Sequence, residues 1–578
     1  MIIKKNKKSL FSTSFYSSLI NKKFFSVILK FFGVLFIFLI ASILYLMIAL
    51  DKEEKKKLVY LTAQKSYWMG SYIFNTPIKW FNNFLSDDPV LDISINPKDY
   101  QLLMTLKNNA VKNRILLEKN KRSVPALISY KNKKYDIRIR LKGFMTQTHL
   151  QDHKWSSRIT LTNERFLGMK GFSLQSPQRR SYISSFLLHK FSENLKLPTK
   201  RFNIVPVSIN GKYMGIYNYE EFPDHHMNES LTGKNNIVIR IDDDQMLFDQ
   251  KNANQNSKNL NHTSNTANYY FSSKIRARAL NEVLNDKILK KDFERASKLL
   301  NSFRLEKLSA SEVFDLDKTA LWLAVNDLFG AYHGHCFTNI NLVYDRDKNR
   351  FYPLIWDAFS ENLSSTISHH KFRMFKLQHV FDFMKLGCPS KIEMPSQMLV
   401  DINLVEKYLK NLDELTSSGY IDNILKKVQP EVDDYLRVLN LDYPQFNLDD
   451  EIMRLKDNAK YLRGAFLYPA KPFEAYLTAD NEKNSLVLVN TNPVPFKIIG
   501  LIDITTNQKF IINNNNSDYI LKNHIPNTPA NPAKFLFECP IENCFTPEKI
   551  KNMRIITKVL GTRKTSNVQI NNWVAYER

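Results

Sequence analysis

Residues 203–220 read NIVPVSINGKYMGIYNYE. Two apolar, β-favouring runs, 203–209 and 212–220, flank Asn210-Gly211. Asn-Gly is the preferred pair for a type I′ turn, whose positive φ angles match the twist of paired strands, so the stretch predicts a β-hairpin. It ends on two acids, Glu220-Glu221. Upstream, 125–130 and 135–141 (YDIRIRL) alternate and predict a second hairpin, 91–95 (LDISI) a strand, and 158–161 and 172–174 short strands. Asn96-Pro97-Lys98-Asp99 is a turn and N-cap signal before a helix through Leu106, and 181–196 has helical spacing that stops before Pro198. Downstream, 237–241 (IVIRI) reads as a strand, 275–330 as helical, 340–344 and 351–355 as a hairpin around Asp345–Arg350, and 395–465 as mainly helical. From Phe473 the pattern changes to strand-like runs (SLVLV, FKIIGLIDI, KFIINN, RIITKVL) between Asn- and Pro-rich turns. The fold class is therefore α+β: a large mixed domain over 88–470 and a small all-β, sandwich-like domain over 473–578.

The composition narrows the function. The chain has 578 residues, 43% apolar and 12% aromatic, enough for a sizeable core and incompatible with overall disorder. Four cysteines exclude a disulfide-dense scaffold, and 15 glycines argue against a glycine-rich phosphate loop. Lys+Arg 82 against Asp+Glu 57 gives a net charge of +25. The lysines are scattered, and no basic helix or nucleic-acid reading module stands out, so nucleic acid is not the expected partner. Residues 250–268 (QKNANQNSKNLNHTSNTAN) are nearly free of apolar side chains and read as a flexible surface insertion.

Residues 31–50 (FFGVLFIFLIASILYLMIAL) contain no charge, Pro or Asn and are long enough to cross a bilayer as a helix. Residues 1–30 carry Lys4, Lys5, Lys7, Lys8, Lys22, Lys23 and Lys30 and no acid, which places the N-terminus in the cytoplasm. The apolar run exceeds a cleavable h-region, and no A-x-A site follows it. The expectation is a basic cytoplasmic tail (1–30), an uncleaved signal anchor (31–50), a stalk (51–87) and an extracytoplasmic remainder. Cys539 and Cys544 are close enough in sequence to pair in an oxidising compartment, whereas Cys336 and Cys388 read as lone residues.

No P-loop, H-E-x-x-H, G-x-S-x-G or paired C-x-x-C motif is present. His225-His226 and His369-His370 are adjacent pairs, which rarely aim at one metal, while His333-Gly334-His335 could share a face on a strand and ligate zinc. A phosphoryl-transfer site needs cations on the phosphates, an acid to hold a lysine and Asn/Asp groups for Mg²⁺. The candidates are Arg138, Arg140, Lys142 and Lys154, the Glu220-Glu221 pair, Asn339 and Asn341, and Asp357 after the hairpin around Asp345–Arg350.

Several ordered elements across residues 91–362 resemble the CotH kinase family, the spore-coat protein H kind of atypical kinase. They are SINPKDYQLLM, IRLKG, HKWSSRITL, FLGMKGFSLQSP, the NGKYMGIY…E hairpin, IVIRIDDD and FYPLIWD. The resemblance implies an atypical protein-kinase-like fold and an ATP- and Mg²⁺-dependent kinase reaction. By position it implies Lys154 on phosphates, Arg140 and Lys142 flanking the nucleotide, and Glu221 paired with a phosphate-binding cation. It further implies Asn339 and Asp357 on the metal. Two positions depart from the family. Its N-x-D-G segment reads Ala331-Tyr332-His333-Gly334, so His333 stands where the catalytic Asp is expected; its W-D-x-D reads Trp356-Asp357-Ala358-Phe359, so the second Asp is Phe359. Histidine can act as a general base but is a poor Mg²⁺ ligand. Three readings follow: a membrane-anchored kinase acting on an envelope or secreted protein, with His333 as base; a catalytically inactive pseudokinase serving as a surface binding module; and a tethered hydrolase with a His333/His335 metal site. The sequence carries no signal of oligomeric state.

Overall fold

The computed structural model describes residues 87–113, 116, 121–143, 149–150, 153–246, 249, 266–358, 393–444, 446, 448–477, 485–511, 519–522, 533–536 and 547–572. The expected tail, anchor and most of the stalk fall outside these residues, as does most of the 250–268 insertion, whose last residues open a helix at Thr266–Ser272. Among the described residues no helix is long and apolar enough to cross a membrane.

Seven strands form a closed barrel: β1 (Leu91–Ser94), β2 (Val124–Tyr130), β3 (Lys133–Leu141), β4 (Ser157–Leu161), β5 (Gly171–Gln175), β6 (Phe202–Ile209) and β7 (Lys212–Glu221), in the order β1-β2-β3-β4-β5-β7-β6. Parallel pairing of β1 with β6 closes it, and the other neighbours are antiparallel. Both expected hairpins are present. Asn210-Gly211 turns with φ of 49° and 76°, and Lys131-Asn132 with 46° and 61°, the paired positive angles of a type I′ turn. Alternate residues point inward, so Ile137, Ile139 and Leu141 of β3 join Leu91, Ile93, Ile128, Phe172, Val207 and Tyr217 in the barrel core. Helix α1 (Pro97–Lys112), capped by the Asn96 side chain and started by Pro97, closes over this core with Leu103 and Ala110.

The outer face of β6 and β7 is also apolar. Phe202, Ile204 and Ile216 pack into a second, larger core. That core is built by α2 (Ser184–Asn194), α4 (Leu280–Asn285), α5 (Lys287–Arg304), α6 (Leu316–Phe329), α7 (Ile402–Leu415), α8 (Tyr420–Leu439) and α9 (Asp449–Tyr461), while α3 (His225–Thr232) places Met227 in a smaller cluster with Val238, Val343, Tyr352 and Leu354. Helix α6, the TALWLAVNDLFG segment, is buried almost all round, and its Trp322 Nε1 donates to the Leu354 carbonyl at 3.2 Å. A four-stranded sheet ordered β11-β10-β8-β9 lies in this region: β8 (Val238–Ile241), β9 (Ile275–Ala277), β10 (Leu342–Asp345) and β11 (Arg350–Pro353). Strand β9 was expected as helix; its three residues are too few for periodicity to register, and pairing with β8 fixes them. Cys336, expected as a lone thiol, is disulfide-bonded, its partner lying outside the described residues.

The C-terminal segment is all-β, as expected: β12 (Glu474–Leu477), β13 (Ser485–Val489), β14 (Phe496–Asp503), β15 (Lys509–Ile511), β16 (Ile520–Leu521), β17 (Ala533–Leu536), β18 (Met553–Val559) and β19 (Ser566–Asn572). The expected two-sheet sandwich is corrected in one respect. β19 pairs with β18 on one edge and, in parallel, with β12 on the other, which joins all eight strands into one connected sheet. Leu486, Leu488, Phe496, Ile498, Ile555 and Ile570 bury against the same core as the helices.

One irregularity decides which way the functional side chains face. The β6–β7 register shifts between Val207 and Ser208, so β7 carries an extra residue, and Gly215 follows it at φ +92°. A one-residue shift inverts the faces of everything beyond it. Gly215 also makes room for Asp442, whose carboxylate accepts from the Ile216 N–H at 2.8 Å and from Lys154; a Cβ at 215 would collide with both side chains. Gly215→Ala is therefore expected to cost about 2–4 kcal/mol, from the strained φ and the lost contact together. Urea denaturation of parent and variant checks this; an unchanged midpoint would show that the bulge is not needed.

Candidate functional site: a cationic cluster on Glu220

Beyond the bulge, Asn218 and Glu220 point to the outer face of the barrel, toward the helical core. Asn218 receives the Tyr435 hydroxyl of α8 at 2.8 Å. Glu220 is fully buried and accepts from three cations: Lys142 Nζ at 2.9 Å, Arg180 Nη2 at 2.8 Å and Lys200 Nζ. Each cation arrives from a different connection. Lys142 directly follows β3, Arg180 ends the short 3-10 turn Pro177–Arg180 between β5 and α2, and Lys200 lies just before β6. A buried carboxylate is tolerated only when paired and hydrogen-bonded, and Glu220 is both.

Arg180 extends the chain of charges. Its Nη1 lies 2.6 Å from Asp357 Oδ1, and Asp357 Oδ2 lies 3.6 Å from His333 Nε2. Asp357 follows Trp356 at φ +49°, a left-handed conformation uncommon for Asp outside tight turns and functional sites. The Trp356 ring supports Lys200, whose Nζ is 3.9 Å from the ring centroid, with Lys142 Nζ at 5.8 Å. The base of the cluster is closed, and the mouth is open: side-chain exposure is 0% for Glu220 and 2% for Lys200, but 16% for Lys142, 21% for Asp357 and 29% for His333.

The electrostatics follow. Burial would raise both carboxyls, but Arg180, Lys142 and Lys200 hold Glu220 well below the usual carboxylate range, and Arg180 and His333 do the same for Asp357. Burial pushes Lys142 down to about 7 and Lys200 down to about 8, with Glu220 opposing the fall and Arg180 adding to it. His149, beside them, is pushed to about 3 by burial and by Lys142, and is neutral. With both lysines protonated, Lys142, Arg180 and Lys200 outnumber Glu220 and Asp357. Such an arrangement suits an anion.

Of the residues singled out from sequence, Lys142, His333 and Asp357 come together here. Asn339 joins them indirectly, its Nδ2 donating to the His333 carbonyl at 2.9 Å. Asn341 is buried and accepts from Arg278 Nε at 2.7 Å. Arg140 is half-buried on β3, registered opposite Arg158 of β4, with Nη1 on the Leu141 carbonyl at 3.2 Å. Two residues lie elsewhere. Glu221 points to the other face, where it holds Arg201 Nη1 at 2.8 Å and burial raises it to about 7; Glu220 takes the cation-pairing place that the resemblance gave to Glu221. Lys154 is buried under β7, bonded to Asp442 and within 3.3 Å of Tyr443 Oη and the Ile216 carbonyl. His333 and His335 do not meet: His335 is buried against Trp322, with ring centroids 4.5 Å apart. Asp242, Asp243 and Asp244 are paired with Arg240 and Arg276. Sequence reasoning missed Arg180, Lys200 and His149, which lie in connections without periodicity. Glu220 was within reach, one position from the residue chosen.

The model of the CotH kinase protein family matches residues 139–384, a span containing Lys142, Arg180, Lys200, Glu220, His333 and Asp357. This segment is a CotH kinase-like domain, and the resemblance read from the sequence is borne out. No curated protein matches the chain.

Removing the Glu220 charge leaves Lys142 and Lys200 without a carboxylate and Arg180 with Asp357 alone, so Glu220→Gln is expected to destabilise the protein by about 3–5 kcal/mol. Glu221→Gln, which unpairs only a partly exposed Arg201, is expected to cost about 1 kcal/mol. Chemical denaturation of the two variants checks the order, and equal losses would contradict the assignment of Glu220 as the organising acid.

Proposed function

We propose that this protein is a kinase-like, ATP-binding protein of the CotH type, with the phosphates received by Lys142 and Arg180 at the mouth of the Glu220 cluster. The observation that carries the reading is the continuous chain Lys200–Glu220–Arg180–Asp357, in which one buried acid organises the cations and one half-open acid sits beside them. Phosphate oxygens fit the surplus positive charge of that cluster. One Mg²⁺ fits as well. Asp357 is held ionised and partly exposed, so Asp357 and Asn339 would hold a single ion that completes its shell with phosphates and water. A second ion does not fit the sequence here, because Phe359 stands two residues after Asp357. When bound, the ion supplies neutralisation of phosphate charge.

The chain's own groups do the rest. Lys142 and Arg180 bind and orient the phosphates, while Lys200 and Glu220 keep those two side chains in place. Histidine at 333 takes the place of the usual acid, with Nε2 facing Asp357 and the ring at the open side, where it would accept the proton of a substrate hydroxyl. A second reading, phosphate binding without transfer, draws on the engagement of Asp357 by Arg180 and His333. The domain would be presented outside the cytoplasm by an anchor at 31–50, toward a hydroxyl-bearing envelope or secreted protein. The disulfide at Cys336 supports an oxidising compartment.

Calorimetry with ATP and Mg²⁺ is expected to give binding that weakens about tenfold or more in Asp357→Ala. His333→Ala is expected to retain binding and to lose phosphoryl transfer by about 10²–10⁴-fold. No ATP binding by the folded protein would remove the proposal, and binding with no transfer in the parent would select the second reading.

The lysines give an independent check. Lys142 and Lys200 sit near 7 and 8, so at pH 8 part of that population is unprotonated in the free protein. An anion favours the charged form. Binding at pH 8 is expected to take up roughly one proton, and affinity is expected to fall as pH rises from 6.5 to 9. Titration in buffers of different ionisation enthalpy measures the uptake; proton release would contradict the site.

A further inference from the structure

A second group of ligating side chains lies away from the Glu220 cluster. Helix α3 starts at His225, after the N-cap Asp224, whose Oδ1 accepts from the Met227 N–H at 2.9 Å. Its first two side chains, His225 and His226, lie with ring centroids 4.1 Å apart and planes tilted by 36°. Both reach Glu282 of α4: His226 Nε2 lies 2.6 Å and His225 Nε2 3.7 Å from Glu282 Oε2. One ligand atom from each of the three lies within 4.8 Å of the others. Adjacent residues on a helix project about 100° apart, so sequence spacing alone points to no shared metal. Here one oxygen of the α4 carboxylate faces the Nε2 edge of both rings.

A second observation concerns His225 itself. It is only 4% exposed, its Nδ1 has no hydrogen-bond partner among the described residues, and its Nε2 is too far from Glu282 for a hydrogen bond. An ion bound at Nε2 would give that nitrogen a partner, with the ring proton on Nδ1, because a neutral imidazole carries one lone pair for a Lewis acid.

We propose that His225, His226 and Glu282 form a Zn²⁺ site with three protein ligands and one position open to solvent. Two imidazoles and a carboxylate are a borderline-soft set that zinc accepts, and Mg²⁺ or Ca²⁺ would prefer more oxygen. Ligand bonds of ~2.0–2.1 Å in a tetrahedron put ligand atoms about 3.3 Å apart. The His226–Glu282 contact would open slightly and the His225–Glu282 contact close slightly, adjustments that the exposed Glu282 side chain can make. The ion would clamp α3, which continues from β7, to α4, which follows β9 of the second sheet. It thus ties the strand carrying Glu220 to the neighbouring sheet.

The test is a Zn²⁺ titration of the full-length protein after chelator treatment, beside His226→Ala and Glu282→Gln, both at partly exposed positions. One equivalent of Zn²⁺ is expected in the parent, with a rise in melting temperature. Each variant is expected to lose affinity by more than the ~10–100-fold typical of losing an outer-shell partner. Co²⁺ in place of Zn²⁺ is expected to give the visible absorption of a tetrahedral site in the parent only. Absence of uptake, or equal uptake by parent and variants, would overturn the proposal.

Discussion

A single buried carboxylate, Glu220, organises the region between the barrel and the helices. It has no exposure and accepts from Lys142, Arg180 and Lys200, which belong to three separate connections of the chain. Burying any of these charges alone would cost several kcal/mol, and burying them together in hydrogen-bonded contact is what makes the arrangement tolerable. The same contacts fix the ends of β3, the turn after β5 and the approach to β6. Position and electrostatics are therefore coupled: the contacts that allow the acid to be buried also hold Lys142 at the half-open mouth and the buried Arg180 against Asp357.

The barrel supports this by having two apolar sides where most barrels need one. Its interior is filled by the alternating residues of the seven strands, while the outer surface of β6 and β7 packs on α2 and α8. Polar residues on that outer surface are consequently buried, and Asn218 and Glu220 are satisfied from the helical side and the connecting loops respectively. Lys154 and Asp442 reinforce the junction behind Gly215, a structural role for a lysine that the family pattern alone would place on phosphates. The C-terminal sheet extends the same core, with Gly561 at φ +80° where the sheet backbone approaches α7 too closely for a side chain.

Much of the fold was legible from local signals. Asn210-Gly211, the alternation of YDIRIRL and the Asn96-Pro97 start of α1 each encode their element within a few residues, because turn chemistry and side-chain alternation are local. The site was legible in part. Asp357 and Lys142 stand at strand ends, where alternation and motif agree. The resemblance gave Glu221 by position, whereas the three cations meet on Glu220, which the bulge at Gly215 sets on the outer face of β7; such a bulge leaves no clear mark in one sequence. Arg180 and Lys200 come from irregular connections whose course only tertiary packing determines. The joining of the C-terminal strands into one sheet depends on the β12–β19 pairing, a contact between the two ends of that segment. The convergence of His225 and His226 depends on Glu282, more than fifty residues away in the chain.

The most direct measurement is a crystal structure of the protein with a non-hydrolysable ATP analogue and Mg²⁺. The account predicts the phosphates against Lys142 and Arg180, Arg180 turned from Asp357 toward them, and Glu220 still holding Lys200. An analogue bound elsewhere, with the Arg180–Asp357 pair intact, would contradict it.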